Sequence, residues 1–357
     1  MDIIAILWLA VSLIGISKQG GSLSTTINEE YLSKDNCNYY RGIFAVAVIL
    51  HHVAQRTTSG FIFHDAFCNI GPLCVAVFFF ISGYGLQKSY SSSTSYSECF
   101  LFRRLPNVLF PYICITIICW AEWLLFGTFY SLKDVIVAIV YGNPIVPFSW
   151  YIITITAFYV FFWMLMKLCP KPSFLMIIGA AIGYILYALF CIKMGYGSWW
   201  YITVPAVVLS MFWALYEKEI LYILQKNSWL YWMVYITSAL GFLVLLFKFD
   251  VIYSTFEFKR FGTILVIMRN LLFVFNLVLF MMKFKIGNRV LAFLGEISLE
   301  LYLAQGVFIE GPHWGIQNEF VWCLYVLFAT IVAAYIFHDF NKWVLSHYRT
   351  WLNAKIC

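Results

Sequence analysis

Long apolar stretches alternate with short polar connections along almost the whole of this chain. Ten of the stretches come close to the roughly 20 residues that an α-helix needs to cross a bilayer. Apolar and polar positions do not alternate within them, as they would in the strands of a membrane barrel. The pattern therefore predicts an all-α membrane protein, a polytopic bundle of ten core transmembrane helices. The predicted spans are Arg41–Gln55, Ile70–Gln87, Asn107–Phe126, Phe148–Leu168, Ser173–Cys191, Trp199–Tyr216, Trp229–Phe247, Phe261–Met282, Val290–Phe308 and Phe320–Phe340.

Composition strengthens the membrane assignment. The chain has 357 residues, of which 63% are hydrophobic and 11% charged, and its mean hydropathy is +0.84. A soluble domain of this length could not bury so much apolar surface. We therefore expect the lipid bilayer to surround most of the chain.

An additional apolar segment, Ile3–Ile16, precedes the ten spans. No basic residue lies ahead of it, so the positively charged region of a secretory signal peptide is missing. Its 14 residues are short for a membrane span, and we interpret it as an extra helix or an anchor on the membrane surface. The chain then divides into an N-terminal apolar segment with a polar linker (1–38), a membrane domain (39–345) and a cytosolic tail (346–357).

The placement of lysine and arginine predicts the orientation, because positively charged loops resist translocation. If the segment before Arg41 lies in the cytosol and ten helices alternate from there, 15 of the 23 Lys and Arg residues fall in cytosolic segments. Six fall outside, while Arg41 lies at the membrane edge and Arg269 within a span. The net charge of +6 thus reflects topology, and no basic soluble domain is present that would bind nucleic acid.

A histidine pair lies deep in the first core span. An ionisable residue at this depth points to function, although a histidine bonded to a neighbouring helix is an equal alternative. Helix geometry carries Arg41 to His52 in eleven steps, about 16 Å along the axis and about 1100° of rotation, so both lie on nearly one face. His51 is turned about 100° away and fits a packing or orienting role better.

Polar residues near the cytosolic edge also allow two interpretations each. Arg41 could be a snorkelling anchor or a ligand for an anion. Arg103 and Arg104 could be topological charges or a clamp for phosphate. Ser82 could hydrogen-bond the preceding helical turn or face a ligand.

Four further sites are equally ambiguous on their own. The pair Trp150–Tyr151 fits an interfacial aromatic belt as well as a substrate wall. Glu122 and Arg269 lie deep in their spans, where a structural ion pair is as plausible as a functional role. Glu296 and Glu300 are spaced i and i+4, and we expect them to share one face of the ninth core helix.

Common catalytic and metal-binding motifs are missing from the sequence. It contains no Walker-type loop, no GxSxG, no HExxH and no CxxC among its ten cysteines. We therefore predict no metal site, and we expect the chemistry to come from polar residues within the membrane.

Several motifs, taken together, resemble the acyltransferase 3 family of integral-membrane acyltransferases. The likeness extends over roughly Tyr39 to Phe340, in the order of the family's motifs and with its number of helices. The motifs are RGIFAVAVILHHV at Arg41–Val53 with its arginine, ten residues, then histidine; GPLCVAVFFFISGYGL at Gly71–Leu86; FRRLPNVLFPY at Phe102–Tyr112; the pair Trp150–Tyr151; and LGEISLELYLAQ at Leu294–Gln305.

The resemblance implies transfer of an acyl group, most often acetyl, from cytosolic acyl-CoA to a hydroxyl of a surface or exported glycan or a lipid-linked saccharide. It also implies a multi-pass protein of the cell membrane, most often the bacterial inner membrane. His52, at the motif position, would act as the base or as an acyl relay, with His51 orienting it. Expected contacts to acyl-CoA are Arg41, Arg103, Arg104 and Ser82, and those to the acceptor are Trp150, Tyr151, Glu122 and Arg269.

The sequence departs from the family pattern at two motifs. The family commonly shows a histidine after the Tyr-Leu pair of the late motif, where this chain has Gln305. The basic run before the proline often contains a further arginine, whereas only Arg103 and Arg104 are present here. The family's histidine at position 305 and a third basic residue of the clamp therefore have no counterpart in this chain.

Two other classes of membrane protein compete with an acyltransferase. A transporter or flippase for a glycan precursor would often show internally repeated halves with broken helices, and no such repeat is visible in the sequence. A non-catalytic receptor is disfavoured because no sizeable outer domain is predicted. Release of CoA from labelled acetyl-CoA would separate these classes from an acyltransferase.

Overall fold

The computed structural model describes residues 2–18, 27–57, 62–93, 96–125, 130–140, 145–247, 259–311 and 316–355, and they are almost entirely α-helical. The helices are α1 (Asp2–Leu13), α2 (Lys34–Ala54), α3 (Ile62–Ser92), α4 (Phe100–Arg104), α5 (Pro106–Leu125), α6 (Leu132–Val140), α7 (Trp150–Leu168), α8 (Phe174–Lys193), α9 (Pro205–Leu215), α10 (Glu217–Lys226), α11 (Ser228–Phe247), α12 (Lys259–Lys283), α13 (Arg289–Glu296), α14 (Ser298–Glu310) and α15 (Glu319–Lys355). A 3₁₀ turn, Ser198–Trp200, and two short strands, β1 (Ser17–Lys18) and β2 (Phe284–Lys285), complete the described elements. Phe126, the end of the third predicted span, lies outside the described residues.

Eight stretches of the described chain are long and apolar enough to cross a membrane, which confirms a multi-pass helical protein. A ninth is reached only if the bent pair α13 and α14 counts as one span. The predicted number of ten is therefore not confirmed. The first predicted span corresponds to α2, whose opening residues KDNCNYYRG are too polar for a continuous apolar span.

The ninth predicted helix, Val290–Phe308, is broken, contrary to the expectation of a continuous span. α13 and α14 meet at Ile297 with a bend of 74°. Glu296 and Glu300 therefore lie on different helices and not on one helical face. They remain neighbours because His338 of α15 lies between them, 3.8 Å from a Glu296 oxygen and 3.3 Å from a Glu300 oxygen.

α13 packs on α2 at backbone distance, and two glycines allow this approach. A Cβ atom on Gly295 would lie 1.9 Å from the carbonyl oxygen of Asn38. One on Gly42 would lie 2.4 Å from the carbonyl oxygen of Leu291. Small residues of this kind permit close helix crossing in membranes. The contact fixes α2 in the interior, where its run Ala45–Ala54 is buried along its whole length.

The N-terminal apolar segment forms α1, which is too short to span a bilayer by itself. β1 pairs with β2 in antiparallel register, Ser17 opposite Lys285, just beyond the end of α12. The Asn288 amide donates to the carbonyl oxygens of Val11 and Ile14, both at 3.0 Å, and so closes the end of α1. α1 is thus an additional helix docked at this end of the bundle.

Two cavities lie at opposite ends of the described bundle. We call the end that carries Ser92 and Arg104 the inner end and the end that carries Ala54 and Glu310 the outer end, after the membrane sides that the charge pattern predicts. The two cavities are correspondingly called the inner and the outer cavity.

Candidate active site

The outer cavity has a volume of about 860 Å³ and gathers the ends of distant segments. Its lining comes from the end of α2, the start of α3, the ends of α5 and α14, part of α6, the segment Ile145–Trp150, the turn Ser198–Trp200 and the middle of α12. Seven aromatic rings lie in the described lining. They are Trp123, Tyr130, Phe148, Trp150, Trp199, Trp200 and Tyr302. Such a mixture of large rings and a few polar groups is typical of a ligand site.

His52 lies in the wall of the outer cavity and is 8% exposed. Its Nδ1 is 3.1 Å from the side-chain oxygen of Gln305 on α14. The side-chain nitrogen of Gln305 donates to the carbonyl of Tyr302 at 3.0 Å. Because a carbonyl only accepts, the Gln305 oxygen is the group that remains for His52.

This arrangement defines the tautomer of the His52 ring. The Gln305 oxygen accepts, so Nδ1 of His52 carries the hydrogen and donates it. Nε2 then keeps its lone pair, and the hydrogen bond described for this ring is the one at Nδ1. A neutral imidazole with a free Nε2 can accept a proton or attack a carbonyl carbon.

Phe148 fixes the ring of His52 from its other side. The two rings stack with centroids 3.8 Å apart and planes 13° apart. Phe148 adopts a φ of 63°, a left-handed conformation that is rare for a bulky residue. The Tyr302 hydroxyl donates to the Phe148 carbonyl oxygen and holds this conformation. Strained backbone of this kind costs roughly 1–3 kcal/mol and is concentrated at functional sites.

His51 makes different contacts. Its Nδ1 is 2.8 Å from the carbonyl oxygen of Phe67 at the start of α3, so it donates there. A Cβ atom on Gly71 would lie 2.4 Å from the His51 ring, so this ring fills the space over the glycine. The ring also lies 4.9 Å from that of His52. His51 thus ties α2 to α3 and buttresses its neighbour.

The residues expected to bind an acceptor are only partly brought together. Trp150 and Arg269 line the outer cavity. Tyr151 lies behind its wall, packed against Phe79 and Tyr302 at centroid distances of 4.9 and 5.5 Å. Glu122 is absent from the described lining, and no ion pair joins it to Arg269.

The inner cavity, about 840 Å³, collects three arginines. Arg103 and Arg104 come from α4, and Arg349 comes from the far end of α15. Arg104 donates to the Tyr96 hydroxyl at 2.9 Å, and Arg349 donates to the Asn107 side chain at 2.8 Å. Their described hydrogen bonds go to neutral groups, and the carboxylate of Glu98 also lines this cavity, so the three arginines exceed the acidic side chains there by two charges.

Arg41 and Ser82 lie between the two cavities. Ser82 lies close to the Tyr151 and Tyr159 hydroxyls, and Arg41 is near enough for its charge to act on both of these tyrosines. Arg104 of the inner cavity also acts on Tyr159. A row of polar groups thus leads from the inner cavity toward the wall that holds His52.

Sequence reasoning missed or doubted four residues that the structure brings into these sites. In the sequence, Gln305 is visible only as a departure from a motif. Phe148 and Tyr302 are ordinary apolar or aromatic positions there. Arg349 is, from the sequence, one of the basic residues of the predicted cytosolic segments. A glutamine within an apolar span is a signal that could have identified Gln305, since buried amides require partners. No local signal identifies the other three.

Among the described residues, no group of three or more His, Cys, Asp or Glu side chains is arranged to hold a metal ion. Some of these side chains instead form hydrogen bonds between helices. The Glu300 carboxylate, for example, accepts from the Asn341 amide at 3.1 Å.

The chain matches a known protein family. The acyltransferase 3 model, described as an acyltransferase domain, matches residues 35–339, which is most of the chain. That range contains His52, Gln305 and both arginines of α4, while Arg349 lies beyond it. No curated protein and no solved structure matches the chain.

Proposed function

The chain belongs to the acyltransferase 3 family and is a multi-pass membrane acyltransferase, and from its two cavities we propose that it moves an acyl group across the bundle. The donor is acyl-CoA bound from the cytosol at the inner cavity, with acetyl as the acyl group. The acceptor is a hydroxyl of a glycan or lipid-linked saccharide in the outer cavity. The protein would act in the cell membrane, and we place it in the bacterial inner membrane.

The inner cavity supports binding of the donor's phosphates. Acyl-CoA carries several phosphate charges that cannot enter the bilayer core, so its head needs cations at the membrane surface. Arg103, Arg104 and Arg349 offer three guanidinium groups there. Arg41 and Ser82 lie deeper and would contact the pantetheine arm.

The geometry of α2 supports delivery of the thioester to His52. Arg41 and His52 are about 16 Å apart along one helix face, a length that an extended pantetheine arm can cover. This common face is the single observation that carries the proposal, because it connects the side of the donor with the wall of the acceptor cavity.

His52 performs the proton transfer in this proposal. Its Nε2 removes the proton from the acceptor hydroxyl as the oxygen attacks the thioester carbon. The resulting tetrahedral intermediate collapses, the carbon–sulfur bond breaks, and the CoA thiolate takes up the proton from His52. The products are the acylated acceptor and free CoA. Gln305 keeps Nδ1 protonated throughout and thus keeps Nε2 available.

An acyl relay on His52 is the competing mechanism. Nε2 would then attack the thioester first, and the acyl group would stay on the ring until the acceptor arrives. Incubating the protein with labelled acyl-CoA in the absence of acceptor distinguishes the two. Direct base catalysis predicts no labelled protein after rapid acid quench. A stoichiometric label on the protein would instead indicate the acyl relay.

The wall of the outer cavity supports a saccharide as acceptor. Trp150 and Trp200 lie 6.2 Å apart, with Trp199 at the rim, half exposed. Rings of this kind offer broad apolar faces with a polar edge, and they suit a ligand with hydroxyls around an apolar ring face.

The histidine pair provides the test. Purified protein is incubated with labelled acetyl-CoA and a surface-glycan extract, and release of CoA and acylation of glycan by mass spectrometry are measured. We expect His52→Ala to lose nearly all transfer while it still binds acyl-CoA, and His51→Ala, as the matched control, to retain a substantial fraction. Absence of CoA release in the wild type would favour a transporter, and the reverse order of the two variants would reject His52.

A further inference from the structure

Buried polar atoms without partners meet at one corner of the outer cavity. Nε of Arg269 and the hydroxyl oxygen of Thr203 are both buried, line the cavity and have no hydrogen-bond partner among the described residues. The amide of Asn270 donates to the carbonyl of Ile202 at 3.2 Å and joins α12 to the segment before α9 at this point. Buried donors are rarely left unsatisfied in proteins, so this corner lacks a partner.

The corner also carries an uncompensated charge. Apart from the two histidines, the charged side chains in the described lining are Arg56, Arg269 and Glu310. Arg56 and Glu310 are bonded to each other, with Nε 3.0 Å from the carboxylate oxygen, so their charges cancel. Arg269 has no ion pair among the described residues. An unpaired cation within a membrane span is costly and attracts an anion.

We propose that the acceptor carries an oxyanion, a carboxylate or a phosphate, and that Arg269 and Thr203 bind it. The inference rests on the proposed function in one respect, the placement of the acceptor in the outer cavity. A guanidinium presents parallel N–H groups that match the oxygens of such an anion, and the Thr203 hydroxyl adds a donor beside them. This anion site, together with the tryptophan wall of the cavity, selects acidic sugars or sugar phosphates over neutral sugars.

Two other partners for Arg269 fit the contacts less well. Glu122 lies against the end of α14, since a Cβ atom on Gly311 would be 2.9 Å from its oxygen, and it does not line the cavity. A lipid headgroup would need an open path from the bilayer to this corner, whereas Arg269 and Thr203 both line the outer cavity. Both side chains open into the cavity that receives the acceptor.

Binding without any acyl donor tests the site. Ligand-observed NMR on the purified protein measures affinities for three probes: methyl glucoside, methyl glucuronide and glucose 1-phosphate. We expect the wild type to bind at least one acidic probe about tenfold or more tightly than the neutral one. Arg269→Gln should lose this preference. Thr203→Val, which keeps the Arg269 cation, should weaken the preference several-fold. The stronger acidic probe identifies carboxylate or phosphate as the recognised group.

A double variant, Arg56→Gln with Glu310→Gln, is the matched control because it removes the other arginine of the cavity without changing its net charge. It should keep the wild-type preference, and acyl-CoA binding at the inner cavity checks that each variant is folded. The proposal is overturned if Arg269→Gln keeps the preference or if the wild type shows none. A preference for acidic probes without any CoA release would refute the acyltransfer scheme and leave the anion site intact.

Discussion

At the scale of single residues, the most informative feature is the link between His52 and Gln305. The two side chains are separated by 253 positions in the sequence, yet each determines the state of the other. Gln305 is fully buried, and its amide has only one orientation that satisfies both the Tyr302 carbonyl and the His52 ring. A glutamine can therefore orient the imidazole that we propose as the base, at a position where the family commonly has histidine.

This link predicts the effect of replacing Gln305 with leucine. The substitution leaves Nδ1–H of His52 without an acceptor, and a buried unsatisfied group costs about 1–3 kcal/mol. We expect kcat to fall roughly 5- to 100-fold, while the KM for acyl-CoA changes little, because the donor site is distant. Gln305→Glu, which restores an acceptor, should recover part of kcat and shift its pH dependence.

The control is Thr330→Val, a substitution of a fully buried polar side chain on α15. It should leave kcat close to the wild-type value. Equal losses of kcat in Gln305→Leu and Thr330→Val would mean that Gln305 matters for packing alone.

At the scale of elements, the break between α13 and α14 shapes the site. α13 lies against α2 at backbone distance, and α14 then turns by 74° and carries Tyr302 and Gln305 to the outer cavity. A straight helix in place of the pair would not follow both paths. The ion pairs of His338 with Glu296 and Glu300 connect both sides of the break to α15.

The close contact of α13 with α2 predicts a strong effect of Gly295→Ala. The added methyl would collide with the Asn38 carbonyl, and overpacking of this kind costs about 1–3 kcal/mol. We expect a lower thermal midpoint in detergent together with reduced transfer. Gly85→Ala on α3 is the control, because a Cβ atom there meets nothing within 4 Å, and alanine favours a helix. A thermal midpoint of Gly295→Ala at or above that of Gly85→Ala would contradict this account.

The arginines of α4 and of the end of α15 form the proposed donor site. Replacing Arg103 and Arg104 with alanine removes two possible phosphate contacts, each worth about 1.5–3 kcal/mol. We expect acyl-CoA affinity to fall at least tenfold with an unchanged thermal midpoint. Lys218→Ala, an exposed cation on α10 outside the inner cavity, should bind acyl-CoA normally. If the affinity of the double variant equals that of Lys218→Ala, the arginines serve topology alone.

At the scale of the whole molecule, the two cavities at opposite ends of the bundle make orientation a functional question. The proposed donor exists in the cytosol, so the cavity with Arg103, Arg104 and Arg349 has to face it. The excess of cations at that end is the pattern expected of a cytosolic surface. A reversed orientation would therefore also rule out the proposed donor site.

Cysteine labelling measures this orientation. A cysteine introduced at Ser93, which is exposed at the inner end, should stay unlabelled by an impermeant maleimide added outside cells and become labelled after lysis. A cysteine at Trp199, at the rim of the outer cavity, should be labelled from outside. Signals are compared with the wild-type background, because the protein has its own cysteines. Labelling of Ser93→Cys in intact cells would reverse the topology.

The sequence by itself determined the class of protein, the approximate course of its helices and its family. These follow from local information, since an apolar run of about 20 residues has few stable conformations besides a membrane helix. The motif around Arg41–Val53 also singled out His52 as the candidate for catalysis. The family assignment is confirmed by the match over residues 35–339.

Only the tertiary structure decided how the candidate residues combine. The pairing of His52 with Gln305, the stacking of Phe148 and the addition of Arg349 to the inner cavity all join segments far apart in the sequence. The break at Ile297 likewise depends on packing between helices. In a bundle whose core and lipid-facing surfaces are both apolar, hydropathy does not encode which helices are neighbours, and contacts at small residues and buried polar groups decide it.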